Sequence, residues 1–208
     1  MARRGGAVEL AVLGLLHESP MHGYELRKRV SALLGWGRVL SYGSLYPALK
    51  QMRRAGWLVE DVPRAGRPGP AAGRPREGTK AATGRRGKIV YKLTPEGKDR
   101  FEELMSHGGP SAWEDDSFGV HFAFFAKTDA ETRMRILEGR RTRMEERLER
   151  IRTSFARSRE RVDAYTLELQ RHGLESVERE VSWLKDLIDD ERSRHAPTVR
   201  RTRDNTEE

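Results

Sequence analysis

The feature that most constrains this chain is a run of 25 residues, 63–87, made of Gly, Pro, Ala, Arg, Thr, Lys and Glu with no large apolar side chain. Such a run cannot bury enough surface to offset the entropy of ordering it, so it reads as a long mobile loop. It rules out one core built continuously along the chain, because the segments on its two sides must close on each other. The flanks fit that demand. Residues 57–62 (WLVEDV) and 88–93 (KIVYKL) are short, β-branched and aromatic, as expected for two strands of a hairpin.

Ahead of the hairpin the apolar spacing is helical. Val8, Ala11, Val12, Leu15 and Leu16, widened by Leu10 and Leu13, predict a mostly buried helix over 7–17. Ser19, Pro20 and Gly23 mark a turn, and a second helix is predicted over 24–34 with Leu26 and Val30 inward. Ser41 or Ser44 can cap a third, with Pro47 within or just past its first turn, Leu45, Leu49 and Met52 as its core stripe, and Gly56 as its stop. After the hairpin, Thr94, Pro95 and Glu96 spell the start of a fourth helix. Three helices, a two-stranded wing and a closing helix make an N-terminal winged helix-turn-helix over 1–107, with 63–88 as its wing loop.

The charge supports this division. The chain holds 40 Lys and Arg against 32 Asp and Glu, a net of +8, and residues 1–88 contribute all of that excess. A basic half joined to a near-neutral half is the mark of a polyanion binder attached to something else. With no cysteine, a disulfide scaffold, a thiolate metal site and a cysteine nucleophile are excluded. The six histidines are scattered with no pair at ligand spacing, and no phosphate loop or nucleophile elbow appears, so no metal, cofactor or catalysis is expected. No apolar run is long enough to cross a bilayer, and the N-terminus lacks a signal-peptide core, so the expected location is the cytoplasm.

Residues 108–195 read as an all-α domain. A continuous helix is predicted from Thr128 to about His172, in which one series spaced by seven reads Leu137, Met144, Ile151, Ser158, Tyr165 and its companion reads Arg141, Leu148, Phe155, Val162, Leu169. That is a coiled-coil-like seam, and it assigns Leu137, Met144, Leu148, Ile151, Phe155, Val162 and Leu169 to dimerisation. A last helix is drawn over 174–192, and residues 196–208 are expected to be a disordered tail. Between the domains, Trp113, Phe118, Phe122, Phe124 and Phe125 exceed what one helical face buries. They form either ordinary core or, with Trp183, an apolar pocket for an aromatic effector.

Four phrases on these elements carry a resemblance: LAVLGLL at 10–16, PMHGYEL at 20–26, SYGSLYPAL at 41–49 and YKLTPEG at 91–97. Together they resemble a PadR-type transcriptional regulator of the subfamily with a larger helical C-terminal domain. The resemblance implies a dimeric repressor whose first domain holds operator DNA and whose C-terminal helices make the dimer and sense a small ligand. The wing departs from the family's usual short hairpin, which leaves Arg86 and Lys88, beside the second strand, as its safer DNA contacts.

DNA recognition needs side chains that reach base edges from a helix in the major groove and cations that fix its register on phosphates. The third helix offers Tyr42, Ser44, Tyr46, Lys50, Arg53 and Arg54, with Lys50 assigned to phosphate or a guanine edge. Tyr46 either meets DNA or holds the helix to its neighbour, and Tyr24 either touches phosphate or is a half-buried core ring. Of Arg53 and Arg54, one is expected to be functional and one solvated. The reading is a sequence-specific DNA-binding regulator, a repressor released by a small apolar or aromatic effector, bound as a homodimer to an inverted-repeat operator in double-stranded DNA. The alternative is a protein-interaction module whose winged helix docks a protein.

Overall fold

The computed structural model describes residues 3–34, 42–61, 89–158 and 163–195. Contacts group the chain into two units, residues 1–107 with 115–127 and residues 108–114 with 128–208. The sequence drew its boundary at residue 107. The aromatic segment beyond it packs with the first unit because Val120 and Phe124 are part of that unit's core.

In the first unit, α1 (Arg3–Glu18), α2 (Gly23–Leu33), α3 (Tyr42–Arg54) and α4 (Pro95–Ser106) share one core. Helix α1 is apolar on nearly every side, and Leu10, Ala11, Val12, Leu13, Leu15 and Leu16 are all buried, which makes it the central helix. The others bring narrower stripes: Leu26 and Val30 from α2, Leu45, Leu49 and Met52 from α3, Phe101 and Met105 from α4. Each such side chain contributes roughly 1.5–3 kcal/mol when removed from water. That packing holds α3 together although Pro47 stands in its second turn, where it cannot donate to the carbonyl of Gly43.

Helix α3 ends as the sequence predicts. Gly56 takes a left-handed conformation (φ 80°), Gly56 N–H donates to Arg53 O (3.1 Å) and Trp57 N–H to Met52 O (3.0 Å), a Schellman closure. Thr94 caps α4, its hydroxyl accepting from Gly97 N–H (3.0 Å) and donating to Gly56 O (2.7 Å), so one side chain joins the end of α3 to the start of α4.

The wing strands β2 (Leu58–Asp61) and β3 (Val90–Leu93) pair antiparallel, Leu58 opposite Leu93 and Asp61 opposite Val90. A third strand was not foreseen. β1 (Met21–His22), read from sequence as part of a turn, pairs with the other edge of β3, Met21 opposite Tyr91, giving the order β1-β3-β2. Two residues between Pro20 and Gly23 are too few for alternation to show; the pairing is a tertiary effect that ties the α1–α2 turn to the wing. Helix α5 (Phe118–Ala123) and the 3-10 turn Phe125–Lys127 complete this unit.

The second unit holds the 3-10 turn Pro110–Trp113 and two long helices, α6 (Ala130–Ser158) and α7 (Ala164–His195). The single helix expected through His172 is corrected: α6 stops near Ser158, and α7 runs unbroken through Gly173, where a break had been drawn. Asp163 starts α7. Its carboxylate accepts from Thr166 Oγ1 (2.6 Å), Thr166 N–H (3.0 Å) and Tyr165 N–H (2.9 Å), and these bonds hold it below the usual aspartate pKa. The two helices run antiparallel, as their cross-pairs show: Arg133 with Glu191, Arg140 with Glu180, Lys185 with Glu145, and Arg152 with Glu178. Leu137, Met144 and Leu148 are buried on α6, as are Val177, Val181, Leu184 and Ile188 on α7. Much of the stripe expected to join two chains is therefore used inside one. Ile151 and Phe155 are half-buried, Leu169 lies on α7 with 71% of its surface exposed, and Val162 lies outside the described residues, as does the tail 196–208.

Candidate nucleic-acid interface

Helix α3 advances about 100° per residue, so burying Leu45, Leu49 and Met52 turns Gly43, Pro47, Lys50 and Arg54 to the opposite ridge, with Gln51 beside it. Lys50, Gln51 and Arg54 are exposed. Gln51 was not singled out from sequence; the signal was its place on this wheel, one turn after Pro47. Tyr42 and Ser44 stand in the first turn of α3, but their side chains lie outside the described residues, as do Arg86 and Lys88.

Tyr46 flanks the ridge and holds α3 to its neighbours while staying partly exposed. It is 42% exposed, yet a Cβ built on Gly23 would lie 3.4 Å from its hydroxyl and 3.3 Å from the Tyr91 ring. Gly23 thus lets the first residue of α2 approach both rings. Tyr91 is 5% exposed; burial, and then the nearby Glu60 carboxylate, push its phenol pKa up. The reading helix is docked through Tyr46 onto α2 and the central strand.

Arg53 is exposed but is not directed at the ridge. It donates to Glu60 of β2 (2.5 Å) and binds the last turn of α3 to the wing. Arg54 stays exposed. Lys92 pairs with Asp61 across the strands (2.5 Å). Tyr24 is no core ring: it is 66% exposed, with the Arg27 guanidinium 5.8 Å from its centroid. Arg29 pairs with Glu25 (3.0 Å), while Lys28 is exposed. Among the described residues, the long polar side chains on or beside the outward ridge of α3 are therefore Lys50, Gln51 and Arg54, and α2 adds Tyr24 and Lys28.

The aromatic residues divide between the units. In the first, the Phe118 and Phe122 rings lie 5.9 Å apart, those of Phe122 and Phe125 5.0 Å apart, and Phe124 packs edge-on against Phe101 at 5.6 Å. Trp113 and Trp183 belong to the second, where Trp183 is 41% exposed and Arg140 donates to the Trp113 carbonyl (3.2 Å). His121 of α5 is buried, its Nδ1 has no hydrogen-bond partner, and burial lowers its pKa to about 4. Among the described residues no group of three or more His, Asp or Glu is arranged to hold a metal ion. No described helix is long and apolar enough to cross a membrane.

The fold and this helix define a winged helix-turn-helix module with a reading helix and a wing. Residues 12–70 match the model of the transcriptional regulator PadR-like family, the family whose likeness the four phrases carry, and three of those phrases fall within or overlap this span. Bacillus subtilis PadR in complex with operator DNA is similar at 19% identity, with 88% of this chain and 98% of that one covered and a TM-score of 0.36. The PadR-like transcriptional regulator BC1756 from Bacillus cereus is similar at 20% identity, covering 90% and 99%, with a TM-score of 0.36. Bacillus subtilis PadR in complex with p-coumaric acid gives 18%, 89%, 98% and 0.37. At these values no residue correspondence is drawn. No curated protein matches the sequence.

Proposed function

We propose that this chain is a sequence-specific DNA-binding repressor that acts as a homodimer on an inverted-repeat operator and is released by a small apolar or aromatic effector. The observation that carries the DNA-binding part is the outward ridge of α3, with Lys50 and Arg54 on it and Tyr46 at its flank, on a helix anchored to the wing through Arg53 and Glu60. Cations at this spacing fix a helix on phosphates while neighbouring side chains read base edges. A dimer reading is supported by the seam residues left over after α6 and α7 have packed: Leu169 is 71% exposed and Tyr165, one turn away, 89% exposed. Two-fold symmetry then places half-sites about one helical turn apart, roughly 10 bp or a multiple. The effector role rests on the half-buried Phe122 and Phe125 of the first unit, and it requires a ligand that prefers the non-binding geometry.

The test is selection of bound duplexes from a random pool, and then affinity against salt for the selected duplex and a scrambled one. Specific binding predicts a preference that persists across salt, with a log-log slope of about −0.9 per phosphate contact. Lys50→Ala should weaken binding and, if Lys50 holds phosphate, make the slope shallower by about one. A protein that selects no motif at any salt would overturn the reading, and retention of a fluorescent protein partner instead of DNA would favour the docking-module alternative.

A further inference from the structure

Resting on that DNA-binding reading, we propose that Gln51 is a residue of α3 that reads base identity, and that it reads an adenine in the major groove. Along the outward ridge the first two positions, Gly43 and Pro47, carry no side chain able to donate or accept a hydrogen bond. They let the helix approach the base pairs closely without reading their polar edges. The next outward positions are Lys50, Gln51 and Arg54, all exposed. Arg53, which a sequence alone offers as a fourth reader, lies off the ridge and pairs with Glu60 at 2.5 Å.

Among the remaining three the chemistry separates the roles. Lys50 and Arg54 are cations: phosphates, which carry no sequence information, satisfy them, and where a cation does read a base edge it reads guanine. Gln51 is neutral and gains little from the phosphate field. Its amide presents one acceptor and one donor side by side, which match the N6 amino donor and N7 acceptor of adenine and no other base in the major groove. It stands one helical turn after Pro47, beside the ridge and between Lys50 and Arg54 in sequence, with the helix continuing for only three residues beyond it. The operator half-site therefore contains an A·T pair whose adenine faces Gln51, with cation contacts to either side of it.

The experiment uses the full-length protein and a pool of duplexes with about 30 randomised base pairs, long enough for two half-sites. Wild type and Gln51→Ala are taken through selection in parallel, and circular dichroism confirms that the variant, altered at an exposed helix position, keeps its fold. The expected result is one position per half-site at which wild type requires A·T and Gln51→Ala tolerates any pair, the rest of the motif unchanged. On the wild-type motif, 7-deaza-adenine at that position, which lacks the N7 acceptor, should weaken wild type roughly 5- to 100-fold and leave Gln51→Ala unaffected. If both proteins select the same motif, or 7-deaza-adenine weakens both equally, Gln51 is not the reader, although DNA binding stands. If wild type itself selects no motif, both the proposed function and this inference fall.

Discussion

Protonating His121 should destabilise the first unit in acid. The imidazole is 7% exposed on α5, its Nδ1 has no partner, and burial lowers its pKa from the ordinary 6.5 to about 4. In the unfolded chain the same ring takes up a proton near 6.5, while in the folded protein it stays neutral down to about 4. Stability is therefore complete above about pH 6.5, falls as pH drops from there towards 4, and gains no further loss from this group below 4. At pH 4.5, two units below the unfolded pKa, the linkage amounts to about 2.5 kcal/mol, from about 1.36 kcal/mol for each of those units less a small amount for protonation of the folded ring. The assay is urea denaturation of wild type and His121→Phe at pH 7.5 and pH 4.5. The carboxylates titrate alike in both proteins, so the difference between the two pH-dependent losses isolates this ring. Phenylalanine should lose about 2.5 kcal/mol less than wild type on acidification. Equal losses, or a His121 ring proton that titrates near 6.5 by NMR, would refute the reasoning.

Other perturbations have definite expectations. A Cβ at Gly14 would run into the Phe124 ring, so Gly14→Ala should lower first-unit stability by about 1–3 kcal/mol in the same denaturation assay, whereas Gly5→Ala, which meets nothing within 4 Å, should not. Thr94→Ala removes the cap on Gly97 N–H and the bond to Gly56 O, and should cost about 1 kcal/mol. In the second unit, Arg140 binds Glu180 twice (2.6 and 2.8 Å) and the Trp113 carbonyl (3.2 Å); Arg140→Met should destabilise by about 2 kcal/mol, and Arg140→Met with Glu180→Met by less, as a double-mutant cycle will show. Tyr165→Lys with Leu169→Lys touches only exposed side chains, so it should leave helicity intact and shift sedimentation from dimer to monomer; an unchanged dimer would remove these residues from the interface.

What was legible from sequence depended on how local the signal was. Helices α1 to α4 were readable because each carries its own stripe and its own stops, down to the left-handed Gly56 and the Thr94 cap. Strand β1 was not, because Met21 and His22 become a strand only by meeting Tyr91 and Val90, almost 70 residues away. Helix α3 lies where the sequence put it, but which of its side chains face outward was only partly legible: charge pointed to Arg53, which pairs with Glu60, and Gln51 has no charge to draw the eye. No property of a single position announces which partner it will find.

The seam shows the same limit on a larger scale. A seven-residue apolar repeat says that a helix wants a helical partner; it does not say whose. Between Ser158 and Ala164 there is no Gly or Pro to mark an end, and Asp163 as a cap is the one local sign that a new helix begins. Once the chain reverses there, α7 is tethered to α6 and competes for its stripe at an effective concentration no second molecule can match. Leu137, Met144 and Leu148 are accordingly buried within one chain, with the cross-helix arginine–glutamate pairs fixing the antiparallel register. Only apolar side chains that the hairpin cannot cover remain to recruit a second copy. Tyr165 and Leu169, at the start of α7 beside the reversal, are the most exposed of these, so a dimer built on them would join two hairpins near their closed ends. That is a different interface from a two-stranded coiled coil running the length of the helix, and substitutions at Leu148 would unfold the hairpin before they tested the dimer.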